Sequence, residues 1–408
     1  MKILMLSLNT FPYPPTYGGA EIRTFNLLKH LQAKHEVTLL THCQRPVSAE
    51  EIAALRTWVT HLEILPAPAP PSPAQSLPGL LQQASRFGRF LTTATPPSVA
   101  YRHVPAVQAW VDSAVAAKKY DAIVCEHSVN EIYVRPGFQA QIRTVVDIHS
   151  SVYGWVRNHL EQGATEKPWR DRLYLPLLAR YERRYCRKFS QLVVTTPDDR
   201  RQILALVPEA QVEIVSNGVD LTAFPYRLQD PGGERLIFIG AMDASHNIDA
   251  ACFFAQQVFP QIQQQYPAAT LRLVGARPVE KVQALAQLPG VEVTGRVPSM
   301  VEYLHQSTVC VVPLRAGLGI KNKTLEPMAA GVPVVGSDRG LEGLSVDTAA
   351  APLRALRANT VAEYVAAIDR LFADPALRQT LSHNAWAMIA ADYTWEKAAQ
   401  KYERVLSS

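Results

Sequence analysis

The chain is sparing with the residues that build disulfide frameworks and metal centres. Its 408 residues include five cysteines, Cys43, Cys125, Cys186, Cys252 and Cys310. They are odd in number, widely spaced and without a CxxC pair, which excludes a disulfide scaffold or a zinc knuckle and fits a reducing, cytoplasmic compartment. There is no Asp-x-Asp, no HExxH and no cluster of His and Cys, so no metal is expected. A GxGxxG loop is also missing, which argues against a dinucleotide cofactor. Long apolar runs are absent too. The segment Ile3–Leu8 ends at Asn9, too short for a signal-peptide core or a spanning helix. Between Glu63 and Arg86 no charge occurs, but Pro66, Pro68, Pro70, Pro71, Pro73 and Pro78 exclude a membrane helix and predict a long irregular loop.

What is present is the composition of a folded enzyme, 48% apolar and 19% charged, at a length that predicts two domains of similar size. The net charge of +5 is unevenly placed: residues 1–225 hold 24 Lys/Arg against 19 Asp/Glu, and the remainder 17 against 17. The excess concentrates at Lys167–Lys188, where Lys167, Arg170, Arg172, Arg180, Arg183, Arg184, Arg187 and Lys188 face only Asp171 and Glu182. No nucleic-acid-binding motif accompanies this charge, so nucleic acid is not an expected partner.

Strand and helix signals alternate along the whole chain, the pattern of parallel sheets covered by helices on both faces. In the first half, Lys2–Leu8, Glu36–Thr41, His61–Leu65, Asp121–Glu126, Arg143–Ile148 and Gln191–Thr195 are predicted strands, several of them near-continuous apolar runs. A second series, Arg235–Ile239, Thr270–Val274, Val291–Thr294, Thr308–Val312 and Val332–Val335, follows the turn-rich stretch Gln229–Glu234. The fold class is therefore α/β, with domains expected at 1–228 and 229–385 and a helical tail, 386–408, packing back on the first.

The segment Gly317–Val335 is the richest in chemistry. It runs from a glycine-containing loop into a helix that starts near Lys321 and Lys323, then through Gly331 to a strand. Cations at a helix start oppose the macrodipole by a few tenths to about 1 kcal/mol. A diphosphate would meet free N–H groups there and relieve that repulsion. Glu326, in the first turn, is placed to accept from ribose hydroxyls. It could equally do no more than complement the dipole.

This stretch resembles the donor-binding segment of glycosyltransferase family 4, of the GT-B fold, whose two Rossmann-like domains face each other across a cleft. Gly-Ile-Lys-Asn-Lys-x-Leu-Glu at 319–326 is similar to a branch associated with exopolysaccharide assembly. The family's usual pair of acids is incomplete: the second is Glu326, while Leu318 stands where the first would fall. The resemblance gives Lys321, Asn322, Lys323, Thr324, Leu325 and Glu326 to the donor diphosphate and ribose. It places Gly18 and Gly19 where backbone approaches the donor phosphates, Arg296 and Val297 near the base, and His149 near the transferred sugar and the reacting centre. Ser216–Asp220 resembles the family's turn before the interdomain linker, although an Asn-Gly turn would also explain it. After Gly240 the family commonly carries an Arg, and further on a Lys. Here these are Ala241 and His246, so Lys321, Lys323 and Arg315 are the available phosphate cations, and His149, Glu326 and Lys323 the expected catalytic groups.

The function implied is metal-independent transfer of a sugar, with retained anomeric configuration, from a UDP- or GDP-sugar to a glycan, glycolipid or other hydroxyl acceptor. A nucleotide-sugar epimerase or a silent sugar-nucleotide-binding protein of the same fold are the alternatives. The basic residues around Leu177, Leu178, Tyr181 and Tyr185 suit a lipid-linked acceptor or peripheral contact with the inner face of a membrane. A solvated face over a core stripe suits them as well.

Overall fold

Strands buried on both faces must be apolar at nearly every position, and the first strand of the computed structural model obeys this: in Lys2–Ser7 only the first residue is exposed. The structure describes all residues except 16–17, 69–86, 162–164, 166, 350 and 408. Most of the proline-rich stretch read as an irregular loop therefore lies outside the described residues.

The chain forms two compact units, one of Met1–Val215 with Ala399–Ser408, the other of Ser216–Ala398. The first contains β1 (Lys2–Ser7), β2 (Glu36–Thr41), β3 (His61–Ile64), β4 (Ala122–Glu126), β5 (Arg143–Ile148), β6 (Gln191–Val194) and β7 (Val212–Ile214). They form one sheet in the order β3-β2-β1-β4-β5-β6-β7, every pairing parallel. The second contains β8 (Arg235–Ile239), β9 (Thr270–Val274), β10 (Val291–Gly295), β11 (Val309–Val312), β12 (Val334–Gly336) and β13 (Leu356–Arg357), in the order β10-β9-β8-β11-β12-β13, again all parallel. Each unit is doubly wound. In each the strand order reverses beside the first strand, and the crevice beyond the carboxyl ends there is where ligands bind in such sheets.

The division falls at residue 215 rather than at the turn-rich stretch near 228, because 216–228 pair with the second unit. Val219 bridges to Thr394, and its N–H bonds the Tyr393 carbonyl at 2.8 Å. The Arg227 N–H reaches the Ala330 carbonyl at 3.1 Å. Gly218 is required by close approach rather than by a turn, since a Cβ there would lie 2.4 Å from the Trp395 nitrogen. Of the tail, residues 399–408 join the first unit, where Glu403 pairs with Lys34 at 3.0 Å and the Val405 carbonyl accepts from Arg143 at 3.2 Å.

The basic helix extends over Pro168–Cys186. Its stripe of Leu178, Tyr181 and Tyr185 is buried in the core of the first unit, so those side chains are not a membrane face. Among the described residues no helix is long and apolar enough to cross a membrane.

Candidate active site

In the second unit the groups of interest converge at the carboxyl ends of β8 and β11. Gly240 follows β8, and a Cβ on it would lie 2.9 Å from Asn247 Nδ2 and 3.3 Å from Lys323 Nζ. Glycine at this position lets both side chains close over the strand end. Beneath it Gly275 is more constrained, since its Cβ would sit 1.8 Å from the Gly240 carbonyl oxygen. After β11 the chain passes through Gly317 and Gly319, at φ +105° and +79°. Such angles favour glycine, and they turn the chain into the helix Asn322–Ala329.

The start of that helix has no side-chain cap. Several other helices do, for example the reciprocal Ser48–Glu51 and Thr360–Glu363 boxes. The Thr324 and Leu325 N–H groups bond the Lys321 carbonyl at 2.9 and 3.2 Å, so the anion-attracting end is the turn at Asn322 and Lys323. Lys323 Nζ donates to Asn247 Oδ1, and Asn247 Nδ2 donates to the Ala241 carbonyl at 2.7 Å. Asn247 thus aims the ammonium group. Burial, with Lys321 nearby, pushes Lys323 down to about 7, while burial raises Glu326 to about 7 against the pull of Lys323.

The other expected donor contacts are placed differently. Lys321 is buried and turns under the loop to the Gly319 carbonyl and to Glu342 at 3.4 Å. Arg315 lies on Asp249, Nε to Oδ2 2.8 Å. Both cations already face a carboxylate, a pairing that sequence spacing does not reveal, and Lys323 is the one set at the helix mouth. Thr324 donates to the Gly340 carbonyl at 2.6 Å and Leu325 is wholly buried, so their side chains hold the helix. Asn322 accepts from Asn217 at 2.9 Å, leaving its own Nδ2 buried without a partner. Arg296 is exposed and Val297 half-buried just after β10. Leu318 is half-buried.

In the first unit the helix Gly19–Leu31 begins after Gly18 and likewise lacks a side-chain cap; a Cβ on Gly19 would meet nothing within 4 Å. The helix sends Arg23 and Thr24 beneath the ends of β4 and β5. Arg23 grips Asp147, Nε to Oδ2 2.9 Å and Nη2 to Oδ1 3.1 Å, with both side chains buried. His149 Nε2 lies 2.7 Å from Glu126 Oε1, which also accepts from Thr24 at 3.1 Å. Burial raises Glu126 to about 7 and lowers His149 to about 4. Between about pH 4 and 7 both therefore favour their neutral forms, and the 2.7 Å contact holds one proton. With that proton on Glu126, the N–H of His149 is on Nδ1; with Glu126 ionised, Nδ1 becomes an acceptor.

Glu126, Arg23 and Asn247 were not singled out by the sequence. The available signal was for Glu126: an acid ending a buried strand beside the point of reversal, as Asp147 does. Among the described residues, Glu126, Asp147 and His149 form the one group whose ligand atoms lie close enough together for a metal, within 4.8 Å of one another. The Arg23 guanidinium already supplies positive charge there.

Two family descriptions match the chain: "Glycosyl transferase 4-like domain" over residues 18–218 and "Glycosyl transferases group 1" over 233–374. The chain belongs to the family 4-like glycosyltransferases, and its two doubly wound units are those of the GT-B fold. Among solved structures it is similar to Anabaena Alr3699/HepE in complex with UDP and glucose, with 15% identity, all of both chains covered and a TM-score of 0.67. It is also similar to a variant of S. aureus TarM in complex with Fondaparinux, alpha-GlcNAc-glycerol and UDP, with 13% identity, all of both chains covered and a TM-score of 0.68. A glycosyltransferase from Rickettsia africae is 10% identical over all of this chain and 97% of its own, with a TM-score of 0.62. No match is found among curated proteins.

Proposed function

We propose that this glycosyltransferase moves a hexosyl group from a UDP- or GDP-sugar to a hydroxyl of a glycan or lipid-linked acceptor, retaining the anomeric configuration and using no metal. The observation that carries the reading is the uncapped helix start at Asn322, with Lys323 held beside Gly240 by Asn247. A departing diphosphate there meets fixed N–H dipoles and one ammonium group, the preorganised stabilisation that dominates many transfer reactions. Glu326, one turn on, would accept the ribose hydroxyls. HepE and TarM, similar in fold, have been captured with UDP.

Retention follows from same-face attack, with a donor phosphate oxygen taking the acceptor proton and His149 hydrogen-bonding the sugar. Metal independence is supported by the charge of Arg23 on Asp147, which a bound cation would have to oppose. The Gly-Ile-Lys-Asn-Lys run favours an acceptor in polysaccharide assembly. Contact with a membrane carrying such an acceptor would fall to Trp169 and Leu173, exposed one turn apart beside Arg170 and Arg172.

The test is turnover of UDP- and GDP-sugars with chelator present, followed by anomeric assignment of the product. An inverted anomer rejects the retaining step, and loss of activity on chelation rejects metal independence. Leu318, in place of the family's first acid, favours a second reading, binding of the donor without transfer. Donor binding with no turnover on any acceptor would establish it in place of the first.

A further inference from the structure

The basic run at Lys167–Lys188 contributes to a cleft at the end of its helix. Within the first unit a space of about 800 Å³ is lined by Arg89, Arg135, Arg184, Arg187 and Lys188, with one carboxylate, Glu131, in its wall. That volume is in the range of clefts that enclose small ligands. Arg184, Arg187 and Lys188 lie just before β6 begins, so the cleft is built on helix and turn ends rather than at the strand ends holding Glu126 and His149.

Its charges do not cancel. Lys188 bonds the Glu131 carboxylate and, at 2.7 Å, the Glu131 carbonyl. Arg135 is held by Asp112 at 2.7 and 2.5 Å, and Arg187 by Glu209 at 2.9 Å. Arg184 bonds neutral groups, the Thr93 carbonyl and the Thr95 hydroxyl, the latter at 2.8 Å, while its ion pair with Glu131 is a long one of 4.0 Å. Arg89 is exposed, one turn before Thr93 in the helix 87–93. Among the described residues five cations thus meet three carboxylates, and the surplus lies with Arg89 and Arg184.

The remaining wall is mixed, with Ala100, Ile132, Val134 and Pro136 set among polar groups. Thr93, Thr95 and Gln108 offer hydroxyl and amide groups, and the exposed His103 ring stacks on Tyr133 at 5.7 Å. Guanidinium forks match phosphate oxygens, and hydroxyl groups with a stacked ring face beside small apolar side chains suit the mixed polar and apolar faces of a sugar ring. We propose that this cleft binds a phosphate group carried by a carbohydrate, with Arg89 and Arg184 on the phosphate. It lies wholly within the first unit and needs nothing from the Lys323 helix.

The experiment is isothermal titration of the full chain with glucose 6-phosphate, with glucose, and with phosphatidylglycerol vesicles, using wild type, R89E, R184Q and K323A. Circular dichroism checks that each variant is folded. The cleft predicts binding of glucose 6-phosphate but not glucose, weakening with salt, at least tenfold weaker in R89E and R184Q and unchanged in K323A. R89E is the decisive variant, because Arg184 also ties the Thr93–Thr95 turn. Wild-type affinity in R89E would overturn the proposal, as would an affinity that falls only in K323A. Binding of vesicles without glucose 6-phosphate would overturn it too, by showing that the phosphate belongs to a lipid.

Discussion

The two units wind their sheets alike but furnish the point of reversal differently. In the first, β4 and β5 end in buried acids compensated within the unit, Asp147 by Arg23 and Glu126 by sharing a proton with His149. In the second, β8 and β11 lead into glycines and an uncapped helix start bearing an ammonium group. Under the proposed function one arrangement would exchange protons with hydroxyls and the other would attract an anion. The topology fixes where chemistry can occur, and the residues at the strand ends decide which.

Removing the compensation in the first unit has the largest expected effect. Arg23→Ala leaves Asp147 buried without its partner and should cost about 3–5 kcal/mol of stability, read as a lowered melting temperature. An unchanged melting temperature would show that Asp147 is not held as an ion pair. In the second unit the corresponding change strikes function instead. Lys323→Ala should lower kcat by about 10²–10³-fold, the range for loss of one preorganised charge-stabilising donor, with melting little altered. A Lys323→Ala variant with a lowered melting temperature and an unchanged kcat would reverse that distinction.

Glu126→Gln sharpens the contrast, since it keeps the shape but cannot ionise. Activity should fall by about 10²-fold, the low end of the range for a positioned acid or base, and the limb of the pH profile near 7 should disappear. A variant that merely loses activity with its profile intact would assign Glu126 a structural role. The smallest effect is one of pH on donor affinity. Lys323 is depressed to about 7, so its charge is present below that value and lost as pH rises through it; affinity for UDP should therefore weaken severalfold between pH 6 and 8. Rising affinity over that interval would contradict the assignment.

Much of the architecture was legible because strands covered on both faces must be apolar throughout, which made β1, β4, β5, β8 and β11 readable as runs. The two edge strands at Val212–Ile214 and Leu356–Arg357 are too short to leave a pattern. The helix start beside Lys323 was legible, although Glu326 falls one turn inside the helix rather than in its first turn. Partners distant in sequence were not. Nothing local shows that Lys321 turns to Glu342, that Arg315 lies on Asp249, or that Asn247 rather than His246 meets Lys323. The aromatic stripe was ambiguous by composition, and packing resolved it: Tyr181 and Tyr185 are core.

The proposed transfer requires a diphosphate to dock at the start of the Asn322–Ala329 helix. Titration of UDP into wild type and Lys323→Ala tests it directly. Saturable one-site binding is expected, weakened at least tenfold by the substitution. Equal affinity in the two proteins, or no binding of UDP or GDP to either, would contradict it.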